Sequence, residues 1–460
     1  MNDKLVINRA QIENTLTSCA PDAVAVREVL AKARQLQGLD PEDVCVLAAL
    51  EDPELLEELY DTARWLKETI YGRRLVLFAP LYISNLCANE CLYCAFRASN
   101  KEVRRKALNQ EEIADETRAL IEQGHKRMLL VAGESYPVEG FDYILKSIET
   151  VYRTKQGRGE IRRVNANIAP LTTDEFAQLK QAGIGTYQLF QETYDAKVYA
   201  EMHRAGRKVD YEWRINAMDR AMTAGIDDVG IGVLFGLADW RFEILALMQH
   251  IRWLEQRFGV GPHTISVPRL EPASGSDIAA HPPFPVNDTD FKKLVAILRL
   301  TVPYTGIIMS TRETPAMRRE TFALGVSQIS AGSRTNPGGY ARQNDYESQF
   351  SLGDHRDLDE VVRDVAELGY IPSFCTACYR LGRTGRDFMD LAKPGEIKKH
   401  CDPNALSTFQ EFLIDYASPE TRAVGEKLIS KTLEQMEAPA RGLVQSMIKR
   451  ICEDERDVFV

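Results

Sequence analysis

Apolar residues recur at two different periods along the chain. Over ALEDPELLEELYDTARWLKETIYG, residues 49 to 72, they return at helical spacing, which predicts an amphipathic helix within an N-terminal helical region spanning 1–74. From about residue 74 the pattern changes to short runs rich in β-branched and aromatic residues, separated by amphipathic segments. Eight such runs follow: RLVLFAPLYISNLC, HKRMLLVAGE, RRVNANIAP, TYQLFQETY, DDVGIGVLFGL, HTISVPRLEP, TGIIMSTRET and GVSQISAGS. Between them, NQEEIADETRALIEQG has an acidic first turn and a glycine stop, and TTDEFAQLKQAG opens on a threonine cap, so both predict helices. Strand and helix alternating eight times with short loops predict an α/β fold, a (βα)8 TIM-type barrel over 75–340. An open doubly wound sheet is the alternative. Beyond about 340 the alternation stops, and the polar GGYARQNDYESQF leads into a mainly helical C-terminal region, 341–460, with its own cysteine group.

Composition narrows the classes. The 460 residues are 44% hydrophobic, enough for a large core. A net charge of -10, from 57 Lys+Arg against 67 Asp+Glu, leaves no electrostatic footprint for a polyanion, so no nucleic-acid partner is expected. The polar start MNDKLVINRAQIENTL and the lack of any eighteen-residue apolar run predict a cytoplasmic protein without a membrane span. Nine cysteines cannot all pair and are too sparse for a disulfide scaffold; their clustering points to metal or catalysis.

In a barrel, chemistry belongs at the C-terminal ends of the strands. There lie Cys87 after the first run, Glu134 after the second, Glu192 in the fourth and Arg312 in the seventh. Cys87, Cys91 and Cys94 in NLCANECLYCAFRASN are three soft ligands, one fewer than a [4Fe-4S] cubane has irons. One iron is left open for a substrate or cofactor. The alternative, zinc, lacks a following His or Cys at finger spacing, the nearest being His125. This loop after a first barrel strand resembles the radical S-adenosylmethionine (SAM) superfamily. The resemblance implies that SAM chelates the open iron and is cleaved to a 5'-deoxyadenosyl radical. It also implies a SAM-amine site at the end of the second strand, where Ala132, Gly133 and Glu134 stand in place of Gly-Gly-Glu, and an adenine contact at Tyr93. Glu192, in QETY, suits ribose hydroxyls. Arg214 suits the SAM carboxylate, with Lys208 as competitor; a surface pairing of Arg214 with Glu212 or Asp219 is the alternative.

A second group, Cys375, Cys378 and Cys401, again has three cysteines, with His400 beside the last as a possible fourth ligand of a zinc site. Together with CTACYR, GRTG and C.PNALSTF.EFL.DYAS, these groups resemble the tyrosine lyases of [FeFe]-hydrogenase maturation, the HydG family, over essentially the whole chain. The family implies cleavage of L-tyrosine to p-cresol and dehydroglycine. Conversion of dehydroglycine to CO and cyanide at an auxiliary iron-sulfur cluster follows, with release of an Fe(CO)2(CN)-cysteine unit for H-cluster assembly. A labile fifth iron, free L-cysteine, an electron donor such as ferredoxin or flavodoxin, and other maturation proteins are implied as well. Arg312 is the expected clamp on the tyrosine carboxylate, with Ser310 and Thr311 beside it, and Ser330, Ser333 and Thr335 lie near the same mouth. Arg318 and Arg319, one helix on, are expected to face solvent or acidic neighbours. His263 is the candidate ligand of the fifth iron. It starts the sixth strand, opposite the mouth, and can serve only if the C-terminal cysteines dock there; His203 is the alternative. Cys19, Cys45 and Cys452 carry no expected role. The other readings are a thiazole-pathway tyrosine lyase that stops at dehydroglycine, and a non-catalytic iron-sulfur scaffold.

Overall fold

Four helices, Arg9–Thr17, Ala23–Ala33, Pro41–Ala48 and Pro53–Tyr71, precede the first strand in the computed structural model, which describes residues 6–19, 22–341 and 348–460. Each follows an Asn or Asp at its N-cap, and the longest stops at Gly72, whose φ of 62° favours glycine. Leu59, Ala63, Leu66 and Ile70 share one fully buried face of that helix. It packs against the barrel helices Asp288–Thr301 and Pro315–Leu324.

The eight runs form eight parallel strands: β1 Arg74–Ser84, β2 Arg127–Ala132, β3 Arg163–Asn167, β4 Tyr187–Glu192, β5 Val229–Val233, β6 Thr264–Ser266, β7 Gly306–Met309 and β8 Val326–Ser330. Neighbours pair in chain order. β8 then returns to β1, with Val76 opposite Gln328 and Phe78 opposite Ser330, and this ladder closes the barrel and excludes the open sheet. A ninth strand, β9 Ile371–Ser373, also joins β1, with Arg74 opposite Ile371. Intervening helices begin as their sequences predict: Asn109 and Glu112 cap Gln110–Glu122 reciprocally, and Thr172 and Glu175 do the same for Thr173–Gln181.

The C-terminal helices sit under the N-terminal end of the barrel. Glu411, on helix Lys398–Asp415, is buried; its Oε1 accepts from Arg162 at 2.6 Å and lies 3.4 Å from Lys126 Nζ, and these two cations stand just before β3 and β2. Phe374, directly after β9, stacks on Phe412 with ring centroids 4.8 Å apart. At the opposite end, the polar stretch after β8 folds back over the mouth. Its residues 342–347 lie outside the described residues, but Gln349 N donates to Thr335 O and Gly353 N to Thr311 O, so the chain crosses the strand ends there. Among the described residues, no helix is long and apolar enough to cross a membrane.

Candidate active site and metal centres

The loop that carries Cys87, Cys91 and Cys94 is pinned from three directions. Glu90 exchanges backbone hydrogen bonds with residues 204 and 205, at 2.8 and 3.0 Å. Arg105 donates to the carbonyls of Asn85 (3.0 Å), Phe96 (2.8 Å), Asn100 (3.3 Å) and Arg97, gathering both ends of the loop on one guanidinium. Gly133 N donates to Ser84 O at 2.9 Å, and a Cβ on Gly133 would lie 2.2 Å from Leu86 O, so the end of β2 and the start of the loop touch backbone to backbone. Burial pushes the Cys94 thiol up to about 11 and raises Cys87 and Cys91 as well. Such thiols are neutral at pH 7 and become thiolates only against a metal, which fits a [4Fe-4S] cluster held at three corners. Zinc would draw its ligands to about 2.3 Å from one point. Among the described residues no three His, Cys, Asp or Glu side chains converge in that way.

Beside this loop lies a buried belt of alternating charge. Glu192 ends β4 with φ at 72°, a left-handed conformation rare outside glycine, and a register shift between Phe190 and Glu192 turns its carboxylate into the cavity. Lys208 Nζ sits 2.6 Å from Glu192 Oε1. Arg214 reaches both acids, with Nη2 3.5 Å from Glu192 and Nη1 2.9 Å from Glu134, whose other oxygen accepts from Asn89 at 2.7 Å. These partners hold both carboxyls below their ordinary range despite burial. Arg214 is therefore an interior residue, and its surface pairing with Glu212 or Asp219 does not occur. Tyr93 OH bonds His203 Nε2 at 2.9 Å, and His203 Nδ1 reaches Tyr199 O at 2.8 Å. Both ring nitrogens of His203 are thus engaged at the upper loop, which removes it as a ligand for an iron at the other cysteine group.

A cavity of about 150 Å³ continues from the belt into the barrel. In other proteins that volume accepts a benzene ring. Ser310, Thr311 and Arg312 line one side, with Ser330, Ser333 and Thr335. The Arg312 guanidinium has no carboxylate partner among the described residues; burial lowers its proton affinity, and it lies 3.2 Å from the centroid of the Phe350 ring. Gln349 accepts from Tyr82 OH at 2.7 Å and its Nε2 is 3.7 Å from Cys94 Sγ, tying the returning segment to the cysteine loop. Asn89, Arg105, Gln349 and Phe350 escaped sequence reading. Arg318 is fully buried against Asp354 and not at the surface, while Arg319 pairs with Asp364 at 2.7 Å.

The second cavity lies at the N-terminal end of the barrel. Cys375 and Cys378 follow β9, and Cys401 lies on helix Lys398–Asp415. All three line this cavity together with His263, Arg74 and Arg127. His263 thus meets the C-terminal cysteines because their region docks at the strand starts; His400 is not among the lining residues. Among the described residues His263 Nδ1 has no hydrogen-bond partner, and it stands 3.6 Å from Asp228 Oδ1. Three soft thiols sharing one buried cavity fit an iron-sulfur cluster. A signal for this end was present in the sequence: β1, β2 and β3 each open on a basic doublet, Arg73-Arg74, Lys126-Arg127 and Arg162-Arg163.

Comparison with known proteins agrees with this geometry. The Radical SAM superfamily model matches residues 81–248, and the Biotin and Thiamin Synthesis associated domain matches 266–371. The chain is 33% identical over 356 residues to the 2-iminoacetate synthase of Escherichia coli (strain K12), covering 77% of this chain and 92% of the relative. It superposes on a crystal structure of HydG, described as a maturase of the [FeFe]-hydrogenase, with a TM-score of 0.96 and 48% identity over 99% of this chain and 100% of the other. A second HydG, from Carboxydothermus hydrogenoformans, gives a TM-score of 0.83 at 40% identity over 96% and 98%. With likeness of this degree over the full length of both chains, the protein belongs to the HydG family of radical SAM lyases.

Proposed function

We propose that the protein cleaves L-tyrosine to p-cresol and dehydroglycine in the upper cavity, and converts dehydroglycine to CO and cyanide in the lower one. The observation that carries this reading is the pairing, within one barrel, of an arginine without a carboxylate partner among the described residues, in a ring-sized cavity beside the first cysteine loop, with a second three-cysteine cavity containing His263. When bound at Cys87, Cys91 and Cys94, a [4Fe-4S] cluster supplies the electron that splits SAM into methionine and the 5'-deoxyadenosyl radical. Glu134, Glu192, Arg214 and Lys208 hold SAM, with Gly133 admitting its amine close to the backbone and Tyr93 beside its adenine.

Arg312 forks onto the tyrosine carboxylate, and Ser310 orients it. Fixed this way, tyrosine loses a hydrogen atom from its amino group, its Cα–Cβ bond breaks to dehydroglycine and a hydroxybenzyl radical, and one electron from the donor with one proton turns that radical into p-cresol. The second step balances without a redox partner: HN=CH–COO⁻ gives CO, CN⁻ and H2O. Cys375, Cys378 and Cys401 hold the auxiliary cluster. His263 takes a labile iron, which is cargo: with free L-cysteine it leaves carrying the diatomics, for the other [FeFe]-hydrogenase maturation proteins. A ferredoxin or flavodoxin supplies electrons.

Anaerobic turnover of reconstituted protein with SAM, dithionite and L-tyrosine tests this, with p-cresol, cyanide and CO assayed together. All three products are expected. Cresol without diatomics, from protein with both clusters assembled, would favour a 2-iminoacetate synthase type of lyase; SAM cleavage without cresol would exclude tyrosine.

A further inference from the structure

The basic doublets at the starts of β1, β2 and β3 are not equally satisfied. Arg73 bonds Glu68 at 3.0 Å, Lys126 and Arg162 share Glu411, and Arg163 donates to the carbonyls of Gly183 and Ile184. Two cations are left over. Arg74 is 7% exposed, and among the described residues its guanidinium makes neither a hydrogen bond nor an ion pair. Arg127 is 6% exposed and among the described residues donates only to Cys375 O, at 2.8 Å. The Nε of each has no partner among the described residues. Aromatic rings take their faces, Tyr71 beneath Arg74 at 5.4 Å and Tyr379 beneath Arg127 at 5.3 Å, which leaves the N–H edges free.

Both side chains line the lower cavity. Its one carboxylate among the described lining residues, Asp228, accepts from Gly385 N at 3.2 Å and forms no ion pair with either arginine. Two buried guanidinium groups with a single backbone carbonyl between them as acceptor, and no ion pair among the described residues, are unfavourable unless an anion completes them. Planar donor edges suit a planar bidentate acceptor.

We propose that Arg74 and Arg127 form an anion site that takes the carboxylate of a small α-imino or α-oxo acid beside Cys375, Cys378 and Cys401. The proposal rests on the two-step reading above, in which dehydroglycine is that acid. The carboxyl carbon becomes CO, so a clamp on the carboxylate fixes the carbon that must lose an oxygen as water. Fragment that is not held hydrolyses instead: HN=CH–COO⁻ and H2O give OHC–COO⁻ and NH3. Glyoxylate therefore reports escape.

The test uses the holoenzyme with both clusters loaded, as the unmodified protein and as Arg74→Gln, Arg127→Gln and Arg127→Lys. Cresol, glyoxylate, cyanide and CO are quantified, and the auxiliary-cluster EPR signal is recorded with and without added glyoxylate. In both Gln variants p-cresol, formed at the far end of the barrel, is expected to persist while cyanide and CO fall at least tenfold and glyoxylate rises to match the cresol. Added glyoxylate should shift the signal in the unmodified protein and not in the Gln variants, and Arg127→Lys should recover part of the cyanide yield. Unchanged cyanide would overturn the proposal. So would loss of the auxiliary signal itself, which would assign the arginines to the cluster. If the unmodified protein makes no cresol, the two-step reading falls, and the glyoxylate-dependent shift alone then decides whether the anion site exists.

Discussion

Arg312 and Arg318 stand six positions apart, and the structure gives them opposite energetics. Arg318 is fully buried against a fully buried Asp354, and its Nη2 donates to Ser330 O at 2.7 Å. Changing Arg318 to Met removes one side of a buried pair, a loss of about 3–5 kcal/mol. Asp354 keeps Arg356, with Nη2 at 2.8 Å, so the lower end of that range, roughly 3 kcal/mol, is expected. Arg312 has no carboxylate to lose among the described residues. Arg312→Met should leave stability unchanged or slightly raised, since it removes a desolvated charge. Its function is another matter: a hydrogen bond to a charged group is worth about 1.5–3 kcal/mol, which converts to a rise of about 10- to 150-fold in KM for tyrosine. Denaturant unfolding and cresol formation across tyrosine concentrations, with 5'-deoxyadenosine followed in parallel, separate the two. An Arg312→Met protein that is destabilised like Arg318→Met, or that keeps the parent KM, would refute the assignment of Arg312 as a substrate clamp.

Replacing Cys375, Cys378 and Cys401 together by serine should leave cresol formation within a few-fold of the parent and abolish CO, read by a haem-protein trap. Gly133→Ala puts a Cβ 2.2 Å from Leu86 O, an overpacking of about 1–3 kcal/mol, so SAM affinity measured by titration should fall about tenfold or more. Arg105→Gln frees the carbonyls that Arg105 gathers at the cysteine loop; iron retention at the upper site should drop, and the SAM-dependent EPR signal should broaden, with Arg105→Lys intermediate. Burial pushes Glu243 up to about 8, where it accepts from Thr193 and Tyr194 N. The folded protein thus holds a proton that the unfolded chain releases near pH 4.3, so stability falls as pH rises from there to about 8. Glu243→Gln should flatten that decline in unfolding midpoints measured across pH 5 to 8.5.

Much of the architecture is legible in the chain because the signals are local. Continuous apolar runs bounded by caps such as Asn109 and Thr172 mark each βα unit, and cysteine spacing marks both cysteine groups. What is not legible is set by docking. β9 has only three residues, one of them Pro372, and gains its place from β1 and Phe412 rather than from its own pattern. Because that docking chooses the N-terminal end of the barrel, His263 meets the auxiliary cysteines, while His203, closer in sequence to the upper site, spends both nitrogens on Tyr93 and Tyr199. Arg214 has plausible surface partners in sequence, and Arg318 meets the acidic neighbour expected of it, Asp354, but only the path of the chain shows that both arginines are interior. Gln349 and Phe350 come to the mouth through a turn that carries no motif.

β1 has three partners, and two of them, β8 and β9, come hundreds of residues later in the chain. During synthesis Cys87, Cys91 and Cys94 emerge early, attached to a strand that cannot close its barrel until Val326–Ser330 has left the ribosome, or gain its third partner until Ile371–Ser373 has followed. The lower cavity waits longer still, for Cys401. The upper cavity therefore gains its last wall at Phe350 and the lower one at Cys401, long after the first cysteine loop has emerged. A nascent chain stalled before β8 would present the first cysteine loop to solvent on an unclosed sheet.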